Sequence, residues 1–213
     1  MYVLCGSEIS AWGVPMPASF VRVPFATQGL RHARTTIVLH WLTALLIVAL
    51  WTIGQTIDFA PKGALRVDYR SIHMTLGVTL GKVLIVRLVW RATRGGMLPA
   101  LQQGMMLLVA RATHWLLYAL LVVTVTLGVL NIWAQGDSVY NLVTVPQWHP
   151  GDRLFVHRIG DWHALAANAV LIVAGLHSAA ALFHHFVLRD ATLRRMLPWQ
   201  TRWRRFLTES GRT

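Results

Sequence analysis

The feature that most constrains this chain is its last long apolar segment, residues 162–177, where two histidines stand fourteen residues apart with no charge between them. In an α-helix, fourteen residues rise about 21 Å and turn to within about 40° of four full turns. His163 and His177 would therefore leave one face, near the two sides of a hydrocarbon layer about 30 Å thick. Histidines inside a membrane span are costly and mark a candidate site. The alternative is two unrelated side chains that hydrogen-bond to neighbouring helices.

The composition is typical of a membrane protein. Of the 213 residues, 55% are hydrophobic and only 13% are charged, and the mean hydropathy is +0.49. Soluble domains carry about 25% charged residues. Apolar segments predict spans at about residues 37–56, 72–90, 105–133 and 161–187. We therefore expect an all-α integral membrane protein, built as a bundle of four transmembrane helices.

The excess of positive charge indicates orientation in a membrane. The formal net charge is +12, but the arginines gather at the ends of the apolar segments, which argues against nucleic-acid binding. Thirteen of the twenty Lys and Arg residues lie in the amino-terminal flank, in the second connection with the start of the third span, and in the tail. Five lie in the first and third connections. The positive-inside rule then predicts that both termini are cytoplasmic.

The cysteine content limits the kinds of metal centre. Cys5 is the only cysteine, so the chain can form no intrachain disulfide, no covalent haem attachment through Cys-x-x-Cys-His and no four-thiolate iron–sulfur cluster. Any metal centre must be held by histidine.

Four histidines fall into two pairs at matching depth. In the predicted orientation His40 lies at the cytoplasmic start of the first span and matches His177, whereas His73 lies at the outer start of the second span and matches His163. Two histidines on facing helices suit axial ligation of a haem, and without a cysteine attachment the haems would be two noncovalent b-type haems. A zinc site would need further ligands that these spans lack.

Other residues of the second span extend the haem hypothesis. Gly77 and Gly81 follow His73 at four-residue steps, which leaves room for a porphyrin face or, equally, for helix packing. Arg87 stands fourteen residues after His73. It could bind a buried haem propionate, or extend its charge to the cytoplasmic interface.

These residues also carry a family resemblance. The set comprises His40-Trp41, His73 with Arg87, His114 with Tyr118, Trp162-His163, Gly175-Leu176-His177 and His184-His185. Over about residues 34–198 the chain resembles the bacterial cytochrome b561 family, which is related to the b-type subunits of nickel hydrogenases and formate dehydrogenases. The resemblance implies a di-haem cytochrome of the bacterial inner membrane that exchanges electrons with ubiquinone. The His184-His185 ending is similar to the superoxide oxidase kind, which implies a superoxide:ubiquinone oxidoreductase fed by periplasmic superoxide.

Quinone reduction would need a proton donor near the cytoplasmic haem. His184 is the first candidate, because it lies seven residues after His177 on the same helix face. His114 and Tyr118 are weaker candidates. The alternative for His184 is anchoring at the membrane interface.

The outer face gives the superoxide hypothesis limited support. An anionic substrate should meet a cationic funnel, yet the cations and acids of the two outer connections balance. Arg70, Arg153 and Arg158 are the cations expected nearest the outer haem, and His157 could join them. Otherwise His149 and His157 are expected to be exposed to solvent.

The predicted organisation is a loosely ordered extension over residues 1–33, the di-haem domain over 34–190 and a basic amphipathic tail over 191–213 that lies on membrane lipid. Two other functions remain open. One is a membrane anchor and electron relay for a separate dehydrogenase or hydrogenase, with a periplasmic redox partner. The other is a haem-free scaffold or transporter. The short outer connections favour a stand-alone oxidoreductase over the anchor.

Overall fold

The computed structural model describes residues 32–93, 101, 103–148 and 151–198. Four long helices dominate it: α1 Arg34–Thr56, α2 Ala64–Thr93, α3 Gly104–Gln135 and α4 Arg153–Phe186. Each is long and apolar enough to cross a membrane. The prediction of an all-α, four-span membrane bundle is confirmed. The predicted extension over residues 1–33 lies outside the described residues except at its last two positions.

Contacts at the helix ends show that consecutive helices run antiparallel. At one end, the Trp90 indole at the end of α2 donates to Thr36 Oγ1 at the start of α1 over 3.0 Å. At the other end, Arg70 near the start of α2 forms an ion pair with Asp137, just after α3. We call the end where α1 begins and α4 ends the proximal end, and the opposite one the distal end.

A small apolar core joins all four helices in the middle of the bundle. Its buried members are Leu46, Leu50, Leu80, Leu84, Tyr118, Leu121 and Val170. Four-residue spacing within α1 and α2 places successive leucines on one face of each helix. Most other large apolar side chains point outward, as expected where the solvent is lipid and not water.

Two helices begin earlier than the sequence predicts. α2 begins at Ala64 and α4 at Arg153, whereas the apolar spans were expected from about residues 72 and 161. The α4 start is fixed by Asp152, whose side chain accepts a hydrogen bond from the Phe155 amide over 3.0 Å. Since charged residues interrupt the apolar ones in the added turns, these turns give no continuous hydropathy signal. They extend the bundle beyond its apolar part at the distal end.

The connection between α3 and α4 is an ordered hairpin. Gly136 ends α3 in the left-handed conformation with φ 67°, and a side chain there would collide with Gln147. Strands β1 Ser138–Val139 and β2 Val143–Thr144 then pair antiparallel. The Tyr140 amide at the turn donates to the Ser71 hydroxyl of α2 over 2.8 Å. The hairpin therefore closes over the distal end of the bundle.

The chain after α4 packs beneath the proximal end. A short 3-10 turn spans Arg194–Met196, and the Arg195 side chain is buried. The Trp41 indole near the start of α1 donates to the Met196 carbonyl over 2.8 Å. These contacts attach the first residues of the predicted tail to the bundle. Residues 199–213 lie outside the described part, so their lipid binding stays a prediction.

Candidate functional site

The distal pair consists of His73 on α2 and His163 on α4. Their ring centres are 6.2 Å apart and the ring planes are nearly perpendicular, at 85°. His163 Nδ1 lies 3.0 Å from the Thr124 carbonyl oxygen on α3. Because a carbonyl only accepts, Nδ1 carries the hydrogen, and the lone pair of Nε2 remains available to a metal.

Two glycines allow the distal rings to lie close to neighbouring helices. A Cβ atom on Gly54 of α1 would lie 3.3 Å from His73 Cε1, and one on Gly128 of α3 would lie 3.1 Å from His163 Cε1. Neither glycine contact was predicted from the sequence. A signal existed, because glycine inside a helix costs about 1 kcal/mol relative to alanine and so suggests a close contact.

The proximal cluster contains a third imidazole beside the predicted pair. The ring centres of His40 on α1 and His177 on α4 are 6.4 Å apart, at an angle of 70°. His114 on α3 lies nearer to His177, at 5.1 Å. The Nδ1–H of His114 donates to the Ala110 carbonyl over 2.6 Å, which leaves its Nε2 lone pair free. The sequence placed His114 at this depth but did not predict its contact with His177.

Two guanidinium groups enter the proximal cluster from α2. Arg87 donates to His40 Nδ1 over 3.1 Å. Its guanidinium carbon lies 5.2 Å from the centre of the Tyr118 ring, and that of Arg91 lies 5.7 Å away. Two cationic side chains thus lie over the ring of the buried Tyr118. This end of the bundle concentrates positive charge in a way that the distal pair does not.

The two facing pairs can be tested for fit to a haem. A metal–imidazole bond is about 2 Å long, so two rings that bind one iron from opposite sides have their centres about 6 Å apart, close to the separations of both pairs. Although three imidazoles meet in the proximal cluster, no group of three His, Cys, Asp or Glu side chains in the described residues is placed to hold a metal ion by itself. Sites with two imidazoles therefore fit an iron whose remaining ligands come from a porphyrin.

The other predicted cofactor contacts have different surroundings. A Cβ atom on Gly77 would meet nothing within 4 Å, whereas one on Gly81 would lie 3.2 Å from Val125. Gly77 therefore has open space beside it, and Gly81 lies at a tight contact between helices. The Trp41 ring packs edge-on against His40 at 5.8 Å, at the proximal interface.

His184 lies apart from the other quinone-site candidates and binds a carboxylate instead. At the end of α4 its Nδ1–H donates to Asp190 Oδ2 over 2.5 Å, and the Thr192 amide donates to Asp190 Oδ1 over 2.8 Å. Burial alone would raise the pKa of Asp190, but the hydrogen bonds from Thr192 and His184 outweigh it and hold this pKa below its ordinary value. Asp190 was not predicted from the sequence. His184 was assigned from its helix face alone.

The distal surface contains an ion pair and a cavity. Arg70 binds Asp137 at 2.6 Å and also Gln135. Burial raises the pKa of Asp137 in spite of the opposing effect of Arg70. A cavity of about 370 Å³ lies alongside, lined by Gln135, Gln147, Gly151, Arg153, Val156 and His157. Of the cations that were expected near the outer haem, Arg153 lines this cavity and Arg70 reaches its edge through Gln135.

Of the remaining predicted residues of the distal surface, Arg158 does not join the cavity lining. Arg158 is exposed beside it. His157 lines the cavity and is largely exposed, as was expected of it. His149 lies outside the described residues.

Comparison with known proteins gives consistent matches over the whole bundle. The model of the family described as prokaryotic cytochrome b561 matches residues 31–199. A probable superoxide oxidase CybB of Yersinia pestis is 29% identical over 164 residues, which cover 75% of this chain and 92% of the relative. Cytochrome b561 homolog 2 of Escherichia coli is 29% identical over 174 residues, 78% of this chain and 91% of the relative. Cytochrome b562 of Cereibacter sphaeroides is 29% identical over 177 residues, 80% of this chain and 98% of the relative.

Proposed function

Because this chain belongs to the prokaryotic cytochrome b561 family of membrane electron-transfer proteins, we propose that it is a di-haem cytochrome b that relays electrons across the bacterial inner membrane to ubiquinone. The proposed electron donor is periplasmic superoxide. The observation that carries the proposal is the presence of two facing histidine pairs, one near each end of the bundle. The distribution of Lys and Arg supports a cytoplasmic proximal end.

In this proposal His73 and His163 hold the distal haem, and His40 and His177 hold the proximal haem. Each b-type haem supplies an iron that takes up and releases one electron. Imidazoles on both sides would leave such an iron no open position for a substrate. The two sites lie about 20 Å apart along α4 by helix rise, and the distal site would pass electrons to the proximal one.

Arg87 has a specific part in this arrangement. An iron at His40 Nε2 would leave the ring hydrogen on Nδ1, which could then no longer accept a hydrogen bond from Arg87. We therefore expect the guanidinium to exchange its contact with His40 for a haem propionate. Arg87 lies in the interior of the bundle end, where an unpaired cation would be costly. This supports the propionate role over extension of the charge to the interface.

The distal cavity is the proposed place of electron uptake. It lies beside the first turns of α4 and about two turns beyond His163, and Arg153 contributes a cation to its lining. A small anion such as superoxide fits a cavity of this size. Since Asp137 neutralises Arg70, attraction of the anion depends on Arg153 and on the exposed Arg158.

Ubiquinone reduction is proposed at the proximal end. Each ubiquinone takes up two electrons and two protons, so a proton donor must stand near the proximal haem. His184 is the first candidate because it lies beyond His177 toward that end and bonds a carboxylate. His114 and Tyr118 remain weaker candidates, and their contacts with His177 and Arg87 place them closer to the haem itself.

One observation favours the second candidate function, an electron relay bound to a separate dehydrogenase or hydrogenase. The tip of the distal hairpin exposes Leu142 by 84% and Val143 by 63%. Exposed apolar side chains outside the apolar span would suit a docking partner. A partner-dependent relay should contain both haems and yet accept no electrons from superoxide.

Absorbance spectra of the detergent-purified protein, before and after dithionite, test the proposal. Two b-type haems and their rapid reduction by a superoxide pulse, followed by reoxidation on addition of ubiquinone, are expected. A colourless protein would support the haem-free scaffold. A coloured protein that superoxide leaves oxidised would support the relay.

A further inference from the structure

The chain reverses direction at the end of α4 and places a carboxylate on the last histidines. Arg189 adopts a left-handed conformation with φ 53°, which is uncommon for a residue with a side chain. The Asp190 amide then donates to the His184 carbonyl over 3.1 Å. The backbone of Asp190 is therefore fixed directly below His184, independently of its side-chain contact.

The Asp190 carboxylate uses both oxygens. Oδ2 accepts from His184 Nδ1 at 2.5 Å and Oδ1 accepts from the Thr192 amide at 2.8 Å. The low pKa of Asp190 keeps the carboxylate ionised at neutral pH. The His184 side chain is only 16% exposed, so the position of its ring is constrained by packing as well as by the carboxylate.

The charged groups around this pair come from three elements. His184 faces Asp190 from α4, and Arg195 faces it from the short 3-10 turn. Arg195 also acts on His32 of the amino-terminal flank, whose pKa is lowered by burial and by this neighbouring cation. Among these groups Asp190 is the single carboxylate, so its charge offsets a cationic environment.

We infer that Asp190 is a positioning residue for ubiquinone reduction: it fixes the His184 ring with Nδ1–H toward the carboxylate and presents Nε2 to the quinone. The inference rests on the proposed function of His184. In each proton transfer, the bond from Nε2 to hydrogen breaks and a bond from hydrogen to a quinone oxygen forms. The ring becomes neutral, keeps its Nδ1–H, and takes a new proton from the solvent at the proximal end.

The balance over one turnover is simple. The one-electron donor would supply the quinone with two electrons by way of the haems, and two protons pass through Nε2 in succession. Asp190 stays ionised throughout and stabilises the cationic form of the ring that precedes each transfer. Carboxylates that orient a catalytic histidine in this way act without being protonated themselves.

Asp190 could instead have only a structural role at the end of α4. The Asp190→Asn variant separates the two roles. An asparagine keeps an oxygen for the Thr192 amide and the same backbone contact with His184, but it loses the negative charge. The Asp190→Glu variant keeps the charge on a longer side chain. Asp68→Asn removes an exposed carboxylate at the distal end and is the matched control.

The test is the anaerobic reoxidation by ubiquinone-1 of the full-length purified protein after its reduction with dithionite. We expect Asp190→Asn to keep its haem content and its half-saturating quinone concentration, but to lower the maximal rate about tenfold, and we expect the same of His184→Ala. Its rate should also decline at a lower pH than in the original protein, because the cationic ring loses its counter-charge. Asp190→Glu should restore most of the rate, and Asp68→Asn should not change it.

Three results would overturn the inference. The first is a normal rate and pH profile in Asp190→Asn. The second is an equal loss of rate in Asp190→Asn and Asp190→Glu, which would indicate a structural role. The third is failure of the original protein to be reoxidised by ubiquinone-1, and only this result also removes the proposed function.

Discussion

The distal pair and the proximal cluster present the same unit, two facing imidazoles, in different surroundings. At the distal pair the neighbours are a backbone carbonyl and two glycines, so the rings meet few charges. At the proximal cluster a third imidazole, two guanidinium groups and a tyrosine converge. Under the proposed function, this difference predicts that electron transfer at the distal pair is not coupled to proton transfer. At the proximal cluster, the cationic side chains would offset the negative charge that arriving electrons bring.

The largest expected effect comes from removal of a distal ligand. His163→Ala should abolish the distal haem and about half of the dithionite-reduced α-band, because no other described histidine lies against His73 in its place. Electron uptake from superoxide should be lost as well. His157→Ala, six residues away on the same helix, should keep both haems. Full haem content in His163→Ala would refute the pairing.

The third imidazole of the proximal cluster makes the choice of ligand testable. His114 lies nearer to His177 than His40 does, and its Nε2 is free. The proposal nevertheless assigns the haem to His40 and His177. His40→Ala should therefore lose the proximal haem, and His114→Phe should retain it, as measured by haem content per protein. The reverse result would make His114 the ligand.

A glycine contact tests whether the two sites are independent. Gly128→Leu should displace the His163 ring, because even a Cβ atom there would lie 3.1 Å from it, and overpacking of this kind costs about 1–3 kcal/mol. We expect a partial or complete loss of the distal haem with a normal proximal spectrum. Gly175→Leu is the control, because that position is exposed and open. Equal loss at both sites would show that the bundle as a whole is disturbed.

The smallest expected effect concerns charge. Arg87→Gln should keep both haems but lower the midpoint potential of the proximal one by about 60 mV, a tenfold change in a one-electron equilibrium, because a nearby cation stabilises the reduced iron. Lys82→Gln, exposed in the same helix, should leave both potentials unchanged. A redox titration followed by absorbance measures the shift. An unchanged proximal potential in Arg87→Gln would mean that the charge difference between the two ends has no part in electron flow.

The sequence predicts much of this architecture because a membrane leaves few alternatives. Apolar length identifies the four spans, and the fourteen-residue spacing in α4 fixes the relative depth of His163 and His177. The depth of each histidine in its predicted span also pairs His40 with His177 and His73 with His163, and the same rings face each other in the structure. Their role as haem ligands stays a prediction.

Other features could not be predicted because they depend on helix rotation or on polar turns. The contacts of Gly54 and Gly128 require knowledge of which helix faces which ring. The distal hairpin has no hydropathy signal, and its position depends on tertiary contacts, among them the hydrogen bond from Tyr140 to Ser71 and the ion pair of Asp137 with Arg70. Asp190 reaches His184 only because the chain turns back at Arg189.

The ratio of haem to protein is the most direct test of two independent bis-histidine sites. Haem b is measured as its pyridine complex, and protein by quantitative amino-acid analysis, in the purified chain and in the His163→Ala and His177→Ala variants. We expect two haems per chain in the original protein and one per chain in each variant. One haem in the original protein, or two in either variant, would contradict this expectation.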